Sequence, residues 1–491
     1  MNQPPDPTAD LLDRIAHLER RARPLEPGTG RRKQLRRAAA AAGERFLRQI
    51  EHLKAFEDHA GSGLGLLDSP IGEKPLPIDA VLDLFEREVV RPGLNPASGG
   101  HLAYVPGGGI YPAALGDYLA AITNKYAGIF FTGPGPVRME NQLLRWTADL
   151  VGYPAGAAGN IASGGSIANL VAIATARDAH GIKAADVPRA VVYLTTQAHH
   201  CLEKALRIAG LGEVTVRHVP IDDRFRMRPD ALAAAVAADR AAGLKPWLVI
   251  ATAGTTDTGA VDPLETIGDL ARREGCWFHV DAAYGGFFLL TEHGRRVFRG
   301  IEASDSVVLD PHKSLFLPYG CGIVLVRDAR PMLDTHHYFG NYMQDAAAAV
   351  DEISPADVSP ELTKHFRAVR MWLPLKLLGV EPFRAGLDEK LLLARYFRTR
   401  VADLGYEVGP EPELSIVTYR LVPAGLDPEE VNRVNQRIVE FVRQDGRVFI
   451  SSTTIDGTFT LRLVALAFRT HRRTIDLALT VLDAARRAVS S

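Results

Sequence analysis

Cysteine is scarce: Cys201, Cys276 and Cys321 are the only three in 491 residues. They are far apart, with no CxxC pair and no zinc-ligand spacing. That excludes a disulfide framework and a structural zinc site, and it points to reduced thiols in the cytoplasm. Neither sign of charge is in excess: Lys+Arg is 57 against Asp+Glu 58, a net charge of −1. No bulk positive field is available for nucleic acid or an anionic membrane, so neither is expected as a partner. Long apolar runs are also missing. The longest, such as Trp247–Ala253, are far too short to span a bilayer. The opening MNQPPDPTAD is polar and acidic, unlike a secretory leader. GxxxxGK[ST], HExxH and GxGxxG are absent. What is present is ordinary globular usage, 46% hydrophobic and 23% charged.

The pattern along the chain changes twice. Leu11–Leu18 and Leu35–Phe56 carry helical periodicity, separated by the breaker PLEPGTG at Pro24–Gly30. Few apolar positions point one way there, which suits either a solvated helical pair or an arm packed on a second subunit. From about His101 to Arg327, short β-branched runs alternate with Ala-rich helical stretches. Expected strands are Ala190–Thr195, Trp247–Ala253, Trp277–Asp281, Ser306–Asp310 and Gly322–Val326. Expected helices include Asn141–Leu150, Ile167–His180, His200–Ala209, Pro229–Ala242 and Leu264–Glu274. Such alternation predicts a mainly parallel sheet covered on both faces, with ligands beyond the carboxyl ends of its strands. Asn341–Pro360 reads as a loop. After a helix reaching Leu378 comes a small α+β unit, with strands at Leu414–Leu421, Val448–Ser452 and Phe459–Val464 and a last helix at Thr474–Ala488.

Four segments at the expected strand ends carry chemistry. SGGSIANL, Ser163–Leu170, runs small residues into a helix; Gly165 allows close approach and Ser166 offers a hydroxyl beside free N–H groups. It reads equally as a phosphate cradle or a plain helix cap. QAHHCLEKA, Gln197–Ala205, places His199 and His200 after a strand, where an imidazole can stack on a flat ring or carry a proton. In HVDAAYGG, Asp281 ends an apolar strand, where an ionised carboxylate is costly unless a positive group meets it. In LDPHKSLFLPYGCG, Lys313 follows another apolar strand; desolvation there would lower its pKa and free the amine as a nucleophile. Each is weak alone. Together they are the groups needed to hold pyridoxal 5′-phosphate: a phosphate cradle, a stacking ring, a carboxylate for the pyridine nitrogen and a lysine for the aldehyde.

With SGGSIAN, QAHH, TAGTT, HVDAAYGG and DPHK in view, the chain resembles the group II pyridoxal-phosphate decarboxylases, the family of aromatic-L-amino-acid and glutamate decarboxylases. The likeness runs from about Pro77 to the last helix and includes HFRAVRMWLPLKLLG at His365–Gly379. The resemblance implies an α/β fold of the aspartate aminotransferase class (fold type I). It would have a mainly parallel central sheet, a helical N-terminal arm over residues 1–95, a large cofactor domain over 96–370 and a small α+β C-terminal domain over 371–491. It implies a homodimer with active sites at the interface. It assigns Lys313 as the cofactor lysine, Asp281 to the pyridine nitrogen, His199 to ring stacking, Gly165 and Ser166 to the phosphate, and Thr256 and His312 to further cofactor contacts.

Tyr342, with Tyr338 as competitor, falls on the family's loop tyrosine, which protonates the substrate α-carbon. Relatives with phenylalanine there form aldehydes. The implied activity is therefore decarboxylation of an L-amino acid, aromatic or bulky, to the amine and CO2. Tyr104, Phe130 and Phe131 are the candidate substrate contacts. A decarboxylase of an acidic amino acid, with Arg138 as carboxylate partner, and an aldehyde-forming oxidative deaminase are the alternatives. The sequence departs from the family at Asp310, where many relatives have asparagine, and at Gly107, where aromatic decarboxylases carry threonine.

Overall fold

The computed structural model describes residues 7–58, 63–337 and 352–490. It divides into two compact units, Met1–Leu53 with Glu57–Gly93, and Lys54–Phe56 with Leu94–Ser491. The smaller unit is helical, with long helices at Pro7–Ala22 and Thr29–Gln49 and a shorter one at Ile78–Phe85. Leu11, Leu12, Ile15 and Leu18, the apolar stripe of its first helix, are exposed. The second helix ends at Gln49 rather than continuing to Phe56 as expected. The Ala55 and Phe56 N–H groups instead donate to the Gly446 carbonyl in the larger unit, so this backbone is committed elsewhere.

The larger unit is built on a seven-stranded sheet. Its strands are β1 (Ala158–Ala162), β2 (Ala190–Leu194), β3 (Thr215–His218), β4 (Lys245–Thr252), β5 (Trp277–Asp281), β6 (Ser306–Leu309) and β7 (Gly322–Val326), in the order β1-β7-β6-β5-β4-β2-β3. The pairs β2–β3, β2–β4, β4–β5 and β5–β6 are parallel. Only β7 runs against its neighbours β6 and β1. β6 reaches β7 through the connection Asp310–Cys321, which carries Lys313.

Side chains alternate between the two faces, as a strand's period of two dictates. Val191, Tyr193, Val249 and Ala251 join one apolar core, while Val192, Leu194, Leu248 and Ile250 join another. Helices lie over both, as expected for a sheet whose strands are apolar throughout. The sequence reading missed β1, β3 and the helix Tyr111–Thr123. β1 is AGNIA, small and carrying a buried Asn160, and it takes its place by pairing with β7 rather than by its own propensity.

A third core fills the C-terminal region, where Glu407–Val408, Ile416–Arg420, Thr458–Val464, Phe449–Ile455 and the distant His101–Leu102 form a five-stranded sheet. The helix Pro428–Asp445 covering it begins with a capping box of Asp427 and Glu430. Among the described residues no helix is long and apolar enough to cross a membrane, and no cluster of His, Cys, Asp and Glu could hold a metal.

Candidate active site

Five chain segments leave the sheet at its carboxyl edge and converge on one cavity of about 350 Å³, within the usual range for small-molecule sites. Gly165 and Ser166 follow β1, His199 follows β2, Thr256 follows β4, Asp281 ends β5, and His312 and Lys313 follow β6. All seven line the cavity, together with Asn169, Cys201, Tyr284, Asp310 and Tyr319.

The floor is the start of helix Gly165–Ala179. No side chain caps it, so its first N–H groups are open toward the cavity, where helix termini favour an anion. Gly165 lets Asp310 approach closely there: a Cβ would lie 2.7 Å from Asp310 Oδ2, and the carboxylate would have to shift. Asp281 is 4% exposed. Its Oδ1 accepts from the Ala283 N–H (3.0 Å) and its Oδ2 faces Asn169 Nδ2 (3.4 Å). The His199 ring is half-buried, its Nδ1 accepting from the Cys201 N–H (3.2 Å) and its face 4.1 Å from the His200 ring centre. Burial pushes the His199 pKa down; Asp281 opposes this, while His200 and Lys313 add to it. With Nδ1 taken as an acceptor, the neutral form of His199 carries its proton on Nε2, and burial favours that form.

Lys313 corrects the sequence expectation. Burial does work against its ammonium, but the carboxylates of Asp310 and Asp281 outweigh it, and the pKa is raised rather than lowered. Asp310, 1% exposed, places Oδ2 3.1 Å from Lys313 Nζ. The departure from the family's asparagine thus has a structural role: Asp310 is the counter-ion of the free lysine. The same oxygen lies 3.7 Å from His312 Nε2, whose Nδ1 is 2.5 Å from the Cys321 carbonyl.

The second departure, Gly107, is also explained. A Cβ there would collide with the His312 carbonyl and lie 2.9 Å from that of Lys313. The backbone around Gly107 packs directly on the lysine turn, and the Ile110 N–H donates to the Phe316 carbonyl at its end (2.9 Å). Buried Arg462 bonds the Thr256 carbonyl, the Asp257 carbonyl (2.6 Å) and Ser451 Oγ (2.9 Å), pinning the Thr256 loop to the C-terminal sheet.

Three candidate substrate contacts are not brought to this cavity within the chain. Tyr104, 59% exposed, packs on Phe449 (5.6 Å between ring centres). Phe131 is 54% exposed, and Phe130 is buried beneath the Arg138 guanidinium, 4.9 Å from its ring centre. Arg138 itself is paired with Glu352 (3.4 Å) and is absent from the cavity lining. Tyr342 and Tyr338 lie outside the described residues.

Sequence reasoning passed over Asn169, His279, Tyr319 and Arg462. The first two had a signal: Asn169 lies four residues after Gly165, on the same helix face, and His279 lies two before Asp281, on the same strand face.

These groups fit pyridoxal 5′-phosphate: an uncapped helix start with a closely packed glycine for the phosphate, a buried carboxylate and a lysine in one small cavity, and an imidazole on its wall. The family model of the pyridoxal-dependent decarboxylase conserved domain matches residues 63–422. The chain belongs to this family. It is 35% identical over 374 residues to an aromatic-L-amino-acid decarboxylase of Bacillus atrophaeus, covering 75% of this chain and 77% of the relative. It is 30% identical over 412 residues to a phenylacetaldehyde synthase of Arabidopsis thaliana, covering 81% and 84%. The Oryza sativa TDC solved with PLP and tryptamine shares its fold, with a TM-score of 0.90 at 24% identity over 95% of this chain and 99% of that one. This is a pyridoxal-phosphate-dependent decarboxylase fold, and the α/β architecture with a mainly parallel sheet agrees with fold type I.

Proposed function

We propose that this carboxy-lyase converts an aromatic L-amino acid to its amine and CO2. The observation that carries the reading is the convergence of Lys313, Asp281, His199 and the Gly165 helix start on one cavity, in a chain 35% identical to an aromatic-L-amino-acid decarboxylase. When bound, pyridoxal 5′-phosphate withdraws electrons from the substrate's α-carbon. Lys313 Nζ would hold the cofactor and later release the product. Asp281 would accept a hydrogen bond from its ring nitrogen, and the neutral His199 ring would lie against its face without adding charge. Gly165 and Ser166 would receive the phosphate, with Thr256 and His312 completing the enclosure. Tyr342 would deliver its phenolic proton to the α-carbon after CO2 leaves.

Tyr104 and Phe131 are exposed, and with Phe130 they stand away from the chain's own cavity. A substrate role for them therefore requires a homodimer in which each subunit offers them to the other's site. The exposed apolar stripe of helix Pro7–Ala22 supports such an association. Buried, free cysteines suit a reducing compartment, which supports reading the enzyme as cytoplasmic.

An aldehyde-forming activity is the second reading, favoured by the likeness to phenylacetaldehyde synthase; the tyrosine at 342 argues for the amine. A panel of L-amino acids assayed for CO2, amine and hydrogen peroxide tests the proposal. CO2 with an equal amount of amine from an aromatic substrate is expected. Turnover only of acidic amino acids, or peroxide equal to the CO2, would overturn it.

A further inference from the structure

Behind the cavity wall a file of buried side chains ends on Asp281. Trp277 Nε1–H donates to Ser306 Oγ (2.8 Å), which lies 2.8 Å from His279 Nδ1. His279 Nε2 lies 2.8 Å from Asn169 Oδ1, and Asn169 Nδ2 faces Asp281 Oδ2 at 3.4 Å. Asn169, His279 and Ser306 are at most 1% exposed.

The direction of each link follows from donor chemistry. An indole nitrogen only donates, so Ser306 Oγ accepts from Trp277; a carboxylate only accepts, so Asn169 presents its amide nitrogen to Asp281 and its oxygen to His279 Nε2, which leaves Nδ1 to take the Ser306 hydroxyl proton. His279, kept neutral by burial, must then carry its proton on Nε2. The other Asn169 N–H is directed at Cys201 Sγ (3.6 Å). Every link therefore donates toward the carboxylate, whose second oxygen is held by the Ala283 N–H. Had the imidazole the other tautomer, the amide would reverse and set oxygen against oxygen.

We propose that Asn169, oriented by His279 and Ser306, is a positioning residue that fixes Asp281 as an acceptor aimed at the cofactor's ring nitrogen. The inference rests on the role assigned to Asp281. The file explains why an asparagine and a histidine are buried together behind the cavity: each finds a partner for its polar atoms in the line that ends on Asp281.

The test is a double-mutant cycle read as the dissociation constant of pyridoxal 5′-phosphate, titrated into apo-protein. The four proteins are wild type, Asn169→Ala, Asp281→Asn and the double variant. Asn169→Ala is expected to weaken binding about tenfold or more in the wild-type background, and less than about twofold once Asp281 is already Asn, a coupling of about fivefold or more, about 1 kcal/mol. An equal loss in both backgrounds would mark Asn169 as merely structural, and no loss in the first would equally overturn the proposal. If Asp281→Asn alone leaves binding unchanged, the role of Asp281 fails instead. Should Asn169→Ala not fold, His279→Gln enters the same cycle with the same two outcomes.

Discussion

Replacing Asp310 by Asn removes a carboxylate from 3.1 Å of Lys313 Nζ in a place where Asp310 is 1% exposed. At an effective dielectric of about 20 the interaction at that distance is on the order of 5 kcal/mol. The sign follows from what the amine must do. It captures the cofactor's aldehyde only when neutral, and a raised pKa in the apo-protein leaves little of it neutral. Without Asp310 the neutral fraction rises, and repulsion of the incoming phosphate falls as well. If only about a quarter of the pair energy reaches the neutral-amine population, capture at neutral pH should accelerate roughly tenfold. The wild-type rate should climb with pH toward that of the variant, because the handicap disappears once the ammonium is titrated. Stopped-flow absorbance at about 420 nm, the band of the lysine-bound cofactor, follows the reaction in apo-protein mixed with pyridoxal 5′-phosphate. An Asp310→Asn protein with an unchanged thermal midpoint that captures the cofactor at or below the wild-type rate would refute the counter-ion argument.

Further outcomes follow from other parts of the site. Gly107→Ala should destabilise the protein by about 1–3 kcal/mol and slow cofactor capture, since its methyl group would meet the His312 carbonyl; denaturant unfolding measures it. Tyr342→Phe should lower the yield of amine and raise that of aldehyde, and unchanged product ratios would remove Tyr342 from the reaction. His279 is held neutral, its pKa depressed by burial to about 4, while the unfolded chain takes up the proton near 6.5. Its contribution is therefore intact above about pH 6.5 and lost as pH falls toward 4, roughly 3 kcal/mol in all. The difference in unfolding free energy between wild type and His279→Gln should shrink by that order over this range.

The groups at the strand ends were legible because each sits in a motif where an apolar strand stops at a polar residue. Lys313, Asp281 and His199 could be placed on one edge of a parallel sheet from these motifs; Gly165 showed only as small residues running into a helix. The charge balance around Lys313 was not legible. Desolvation is visible as an apolar run, but a carboxylate three residues earlier changes the sign only if the turn folds it back onto the amine. Gly107 looked like a lost threonine because nothing local says that it packs on a carbonyl more than two hundred residues away. β1 was hidden in AGNIA, since its strand identity comes from pairing with β7. Tyr104, Phe130 and Phe131 were chosen for their aromatic character, which carries no information about whether they reach the chain's own cavity.

The central claim is that Lys313 carries the cofactor in a working decarboxylase. Borohydride reduction of the purified holo-protein, followed by peptide mass mapping, addresses it most directly. The account predicts a pyridoxyl-phosphate group on the peptide containing Lys313, with loss of the yellow colour and of CO2 release. A label on any other lysine, or full CO2 release from Lys313→Ala, would contradict it.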